Sequence, residues 1–232
     1  AIVQAARVSY GEGTRKVSQD RGLIRYLMRH RHTTPFEMVE FKFHCKMPIF
    51  VARQWVRHRT ANINEYSLRY SKARDEFYYP DPQNIQFQSA LNKQGRSGKV
   101  PKELTDKVQQ YFHEISERSF EMYQELNEFG LARELIRGIL PVNLYTEWYW
   151  KNDLHNLLHF IGLRSDSHAQ YEIRVYSDAM ADFVKKVAPY AWEAYQDYVV
   201  RGLRFSRNEQ DLLNQHLPER VIDDILEDLA YQ

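Results

Sequence analysis

A chain of 232 residues is long enough for one domain with a sizeable core or two small ones. Its 32 basic and 31 acidic residues leave a net charge of +1, which argues against a general nucleic-acid or anionic-membrane binder, since these carry a basic excess. A single cysteine excludes an internal disulfide, no run approaches the ~20 apolar residues of a membrane span, and no signal pattern opens the chain, so it reads as soluble and cytoplasmic.

The chain opens on Ala1 without Met, the pattern of a trimmed start. Ser18 is placed to cap a helix that buries Leu23, Ile24, Leu27 and Met28. Thr34-Pro35-Phe36-Glu37 has the form of a capping box with proline at the first helical position, so a short helical turn is expected there. From Val39 to Met47, Val39, Phe41, Phe43, Cys45 and Met47 alternate with Glu40, Lys42, His44 and Lys46, the period of a strand with one buried face. Pro48 ends that strand and opens a helix with Ile49, Ala52, Trp55 and Val56 on its buried side and Gln54, Arg57 and His58 on the opposite side. The following residues to Ser71 read as a loop, since Asn62 and Asn64 are poor helix formers. Extended, this loop would point Glu65, Ser67, Arg69 and Ser71 to one side.

Residues 72–100 read as irregular, with a short strand at Phe77-Tyr78-Tyr79 and a polar surface loop from Asn92 to Lys99. Leu104, Val108, Tyr111, Phe112, Ile115, Met122, Tyr123 and Leu126 fit one long amphipathic helix ending near Gly130. A second helix runs to Gly138 and is stopped by Pro141, and Tyr145 to Trp150 is extended. Leu154, Leu157, Leu158 and Ile161 mark a helix ending near Arg164, and another after His168 buries Ile173, Tyr176, Met180, Phe183 and Val187. Residues 190–200, Asn208–Leu217 and Glu219–Leu229 complete the helices. The fold class is α+β: a single domain over 1–232 with a small, mostly antiparallel sheet, several helices and a C-terminal helical extension at 203–232.

The densest chemistry lies between Arg53 and Ser71, with four arginines, His58, Glu65 and two serines. Guanidinium forks, hydroxyls and loop amides suit phosphate oxygens, and a carboxylate among them accepts from a ribose hydroxyl or orients an arginine. The plain alternative is a solvated, charged helix end; another is a nucleic-acid-binding module using Tyr66 and Tyr70 to stack on bases. Ser67 lacks an adjacent base, so a phosphate-binding hydroxyl fits it better than a nucleophile. Cys45, on the apolar side of its strand, reads as a core residue. His155 and His159 stand at i, i+4, which is open between metal ligands and a helix-surface pair; without a Glu beside the first His the zinc-protease pattern fails, and no metal is expected. Arg164 is open between a site residue and an ion pair with Asp166.

Arg57-His58-Arg59, seven residues and then Ser67 resembles the signature of the flavin-dependent thymidylate synthases. His32-Thr33-Thr34-Pro35-Phe36-Glu37 and Leu163-Arg164-Ser165-Asp166-Ser167-His168-Ala169-Gln170 are similar to that family's other blocks, in the same order, and the resemblance covers about residues 1 to 200. It implies reductive methylation of dUMP to dTMP, with carbon from methylenetetrahydrofolate and hydride from NADPH by way of FAD. It assigns dUMP to Gln54, Arg57, Glu65, Ser67, Arg69, Arg137 and Arg164, with backbone donors at Tyr66 and Leu68. It assigns FAD to Thr34, Arg57, His58, Arg59, Glu65, Asp153, His155 and His159, and sets His32 near flavin and folate. Arg164 would face the uracil ring and stabilise its imide anion. The resemblance further implies a homotetramer whose subunits share active sites, acting on small molecules rather than nucleic acid or membrane.

Overall fold

The computed structural model describes residues 1–8, 19–91, 93–218 and 220–222. In chain order the elements are α1 (Ile2–Val8), α2 (Asp20–Arg29), α3 (Thr34–Glu37), β1 (Glu40–Pro48), α4 (Ile49–Trp55), β2 (Asn62–Glu65), β3 (Phe87–Gln88), β4 (Arg96–Ser97), α5 (Lys102–Glu128), α6 (Arg133–Ile136), β5 (Tyr145–Asp153), α7 (Leu154–Arg164), α8 (Tyr171–Val187), α9 (Pro189–Tyr195) and α10 (Arg207–His216). They form two compact units: one of Ala1–Val39, Asp153–Leu158 and Met180–Gln232, the other of Glu40–Asn152 and His159–Ala179.

The second unit is built on a three-stranded sheet in the order β1-β5-β2. β2 runs antiparallel to β5, with Asn62 opposite Lys151 and Glu65 opposite Trp148. Side-chain pairs between β1 and β5 also run in opposite order: Glu40 with Lys151, His44 with Tyr149 and Lys46 with Tyr145. Alternation along β5 sends Thr146, Trp148, Trp150 and Asn152 to the buried face. There Trp55 meets Trp148 and Trp150 edge-on at 5.5 and 5.4 Å between ring centroids, and Phe160 stacks on Trp55 at 5.0 Å. Aromatic contacts of this kind add about 0.5–1.5 kcal/mol each to the burial of apolar area. They anchor the C-terminal end of α4 and the α7 turn carrying Phe160.

A second core of Ala73, Phe120, Tyr123, Ile136 and Leu144, with Leu68, Phe77 and Leu126 packed on it, ties the loop after β2 to α5. The Tyr123 hydroxyl accepts from the Ala73 amide at 3.0 Å. α5, 27 residues and so roughly 40 Å long, ends at Glu128 with Phe129 as its C-cap; Gly130 follows with φ +76, a left-handed conformation that glycine adopts without a Cβ penalty.

In the first unit, α2 and α9 bury Ile24, Leu27, Ala191, Ala194 and Tyr195. Their outer faces are joined by Arg25, which donates to Glu193 at 3.1 Å and to Asp197 at 2.6 Å. Among the described residues no helix is long and apolar enough to cross a membrane.

Several expectations need correction. The helix after Pro48 stops at Trp55, where His58 N–H donates to the Trp55 carbonyl, so Arg57 and His58 lie beyond the helix and share no helical face with Gln54. Asn62–Glu65 is a strand, not a loop: all four residues are exposed, and pairing with β5 overrides their weak propensity. Residues 67–71 form a turn closed by Tyr70 and Ser71 amides on the Ser67 carbonyl, so Ser67, Arg69 and Ser71 do not line one extended face. Thr33, not Thr34, occupies the cap of α3, and without a side-chain hydrogen bond the capping box does not form. On α8 the buried stripe is Ile173, Ser177, Met180 and Val184, whereas Phe183 and Val187 are exposed. Arg96–Ser97 inside the expected polar loop pairs with Phe87–Gln88 as a hairpin, and Phe77 makes only an isolated bridge to Leu144. Ser18 and Asn92 lie outside the described residues, as does the expected Glu219–Leu229 helix apart from 220–222, which are helical.

Candidate functional site

Phe160 holds the first part of the site together. Its ring contacts Trp55 and lies edge-on to His58 at 4.9 Å, and Arg164 follows one helical turn later on α7. Arg164 Nε donates to His58 Nε2 at 2.9 Å, joining two blocks 106 residues apart in the chain. Burial, with the nearby Arg164 charge and His159, pushes His58 down to about 4, so it is a neutral imidazole at physiological pH. Burial also lowers Arg164, but a guanidinium keeps its proton. The alternative Arg164–Asp166 pair is not what forms: Asp166 accepts from His168, from both its amide and its ring at 2.8 Å.

Gln54, on the last turn of α4, has a buried Oε1 with no hydrogen-bond partner. Arg57 and Arg59 are exposed, and among the described residues neither pairs with a carboxylate. The Arg57 and Arg59 guanidiniums are donors that suit the oxygens of a phosphate-bearing nucleotide or dinucleotide, whereas the Gln54 oxygen is an acceptor and suits an N–H or O–H of a ligand.

The loop after β2 is fixed locally. Glu65 accepts from the Thr146 hydroxyl at 2.7 Å across the sheet. Tyr66 donates through its hydroxyl to the Lys72 carbonyl and has Arg74 over one face of its ring. Ser67 Oγ accepts from the Arg69 amide at 3.3 Å, and Leu68 packs on the second core. Arg69 pairs with Glu134 at 3.0 Å, and Arg137 Nε donates to the Glu134 carbonyl at 3.2 Å. Arg69 and Arg137 are thereby brought to one residue, while Arg133 donates to the Tyr70 carbonyl and pins the turn.

The remaining candidates are spread over both units. In the first unit, His32 is exposed with its ring edge-on to Tyr26 at 5.8 Å, just after Arg31 turns the chain at φ +57. Thr34 is exposed at the start of α3. Asp153 accepts from the Asn156 amide at 2.9 Å and thereby caps α7; His155 follows, half-buried. His159, in the second unit, is exposed with its ring 6.3 Å from His58.

Sequence reasoning missed Glu134 and Thr146 as partners of Arg69 and Glu65. Neither carried a sequence signal, since the Arg69–Glu134 pair spans 65 residues and the Glu65–Thr146 pair 81. It also missed Glu172, buried and held by Arg96, Tyr78 and Gln170, beside an apolar cleft of about 790 Å³ that contains none of the expected residues. Cys45 is buried and its thiol is pushed up to about 12, which makes it an inert core residue.

The model of the Thy1 family, described as thymidylate synthase complementing protein, matches residues 1–190. A flavin-dependent thymidylate synthase of Rickettsia conorii is 54% identical over 226 residues, covering 92% of this chain and 77% of that protein. One of Dictyostelium discoideum is 52% identical over 218 residues, covering 94% of this chain and 72% of the relative. Among solved structures, the UMP/dUMP methylase PolB from Streptomyces cacaoi bound with 5-Br dUMP is similar with a TM-score of 0.77 and 34% identity, covering 85% of this chain and 89% of that chain.

Proposed function

The chain belongs to the flavin-dependent thymidylate synthase family, and from that membership we propose that it converts dUMP to dTMP with methylenetetrahydrofolate as carbon donor and NADPH as reductant. FAD, when bound, supplies the hydride relay; the chain's own residues bind and charge the reactants. The uracil nucleotides named for the solved relative support the choice of substrate.

In this reading Gln54, Arg57, Ser67, Arg69 and Arg137, with the amides of Tyr66 and Leu68, hold dUMP, and Glu65 accepts from its sugar. Thr34, Arg57, His58, Arg59, Glu65, Asp153, His155 and His159 contact FAD, and His32 lies near flavin and folate. Arg164 faces the uracil ring. Its fixed charge favours the imide anion formed when the ring loses its proton, which makes the ring carbon a better nucleophile toward the methylene. The reading includes a homotetramer in the cytoplasm whose subunits share active sites.

The observation that carries the reading is the hydrogen bond between Arg164 and His58, which brings two of the signature blocks together. The test is to mix protein, FAD, NADPH, methylenetetrahydrofolate and dUMP without air. Formation of dTMP is expected; a colourless protein that makes none and binds RNA with a steep salt dependence would favour a nucleic-acid module instead.

A further inference from the structure

We propose that His58 is a positioning residue for Arg164, acting as a neutral hydrogen-bond acceptor through Nε2. This role rests on the reading above that Arg164 faces the uracil ring.

A guanidinium has five donors and no acceptor, so in the 2.9 Å contact Arg164 Nε must donate and His58 Nε2 must accept. The tautomer follows: the ring proton of His58 sits on Nδ1. Two consequences come from this. Arg164 gives its Nε–H to a neutral partner, so both terminal amino groups stay available with the full positive charge uncompensated. His58 keeps an Nδ1–H to donate to a second ligand, so a contact with flavin and the hold on Arg164 use different ring nitrogens.

The ring is itself held. Phe160 lies edge-on to it at 4.9 Å, and Phe160 is fixed between Trp55 and Trp150, with centroids at 5.0 and 5.2 Å. Trp55, Trp150 and Phe160 are fully buried. The orientation of the Arg164 guanidinium is therefore traced through His58 and Phe160 to the sheet. A charged partner in place of His58 would fix Arg164 equally well but would neutralise it. An aliphatic one would leave its charge but let it swing.

Glutamine and asparagine separate this role from simple packing. In the His58→Gln variant an amide oxygen would lie near the position of Nε2, whereas in His58→Asn it would lie near that of Nδ1. With flavin occupancy followed by absorbance and FAD kept saturating, His58→Gln keeps the acceptor for Arg164 but gives up the Nδ1–H offered to flavin, so it is expected to lose kcat, though clearly less than His58→Asn. His58→Asn is expected to lose about ten- to hundredfold, the effect of one hydrogen bond to a charged group. The KM for dUMP should change little in either. The double variant His58→Asn, Arg164→Ala should be no slower than Arg164→Ala alone. Equal kcat for the two His58 variants, or a fully additive double variant, would overturn the positioning role. If His58→Asn fails to fold or to bind flavin, His58→Gln decides alone: kcat at the level of Arg164→Ala overturns the proposal, and kcat at least about tenfold above that of Arg164→Ala supports it. Normal turnover by Arg164→Ala itself would instead remove the reading of Arg164 on which the inference stands.

Discussion

Two arginines of the second unit, Arg164 and Arg69, are held in opposite ways. Arg164 is half-buried, and its described hydrogen-bond partner is a neutral imidazole. Arg69 is exposed and paired with a carboxylate, with side-chain exposures of 54% for Arg69 and 60% for Glu134. The first arrangement keeps a net charge in a fixed direction, as stabilising an anion that develops during a reaction requires. The second is a solvent-screened pair worth at most about 1 kcal/mol, so little holds Arg69 to its partner. Residue type was the same in both; the partner and the burial decide what each can do.

Removing the charge at the first position should have the largest effect. Arg164→Ala is expected to abolish measurable dTMP formation, a loss of ~10²–10³-fold or more for a preorganised donor, while flavin absorbance in the purified protein persists. Arg69→Ala should weaken dUMP by about ten- to hundredfold, as for loss of a charge-assisted contact, and FAD far less; calorimetric titration with each ligand checks this, and equal losses would erase the distinction. Glu134→Gln should sharpen the contrast by freeing Arg69, tightening dUMP by about two- to fivefold with a steeper dependence on salt.

The smallest effect is on stability against pH. His58 in the folded chain is moved from its ordinary 6.5 down to about 4 by burial, Arg164 and His159. Between these values the unfolded chain binds a proton that the folded chain does not. Stability contributed by the neutral ring is therefore complete above pH 6.5 and falls as pH drops through that window, levelling below about 4. Urea midpoints at about pH 7 and about pH 4.5 should differ more in the parent than in His58→Gln, which has no such proton to bind.

The sequence made some of this arrangement legible and hid the rest for identifiable reasons. β1 and the aromatic run of β5 carry strong periodicity, because each buries one face, and they appear where alternation puts them. α5 spans the expected residues, but it buries Ser116, Ser119 and Phe120 with Tyr123, and Leu104, Tyr111 and Ile115 of the expected stripe are exposed. β2 was invisible because Asn62-Ile63-Asn64-Glu65 buries nothing; only its pairing with β5 makes it a strand. The end of α4 was equally hidden, since arginine is a good helix former and neither Gly nor Pro follows Trp55 before the strand β2. Within the site, the Arg57–Arg59 signature and Arg164 were each recognisable by resemblance. Their contact through His58 depends on where α7 ends against the sheet, which no local pattern encodes.

The most direct measurement is the ionisation of the uracil imide itself. With dUMP carrying ¹⁵N at its imide nitrogen, bound to the flavin-loaded protein and followed by NMR against pH, the account predicts deprotonation at lower pH than in free dUMP. It also predicts that Arg164→Ala, still holding dUMP, loses that shift. An imide that ionises at the same pH free, bound to the parent and bound to the variant would contradict it.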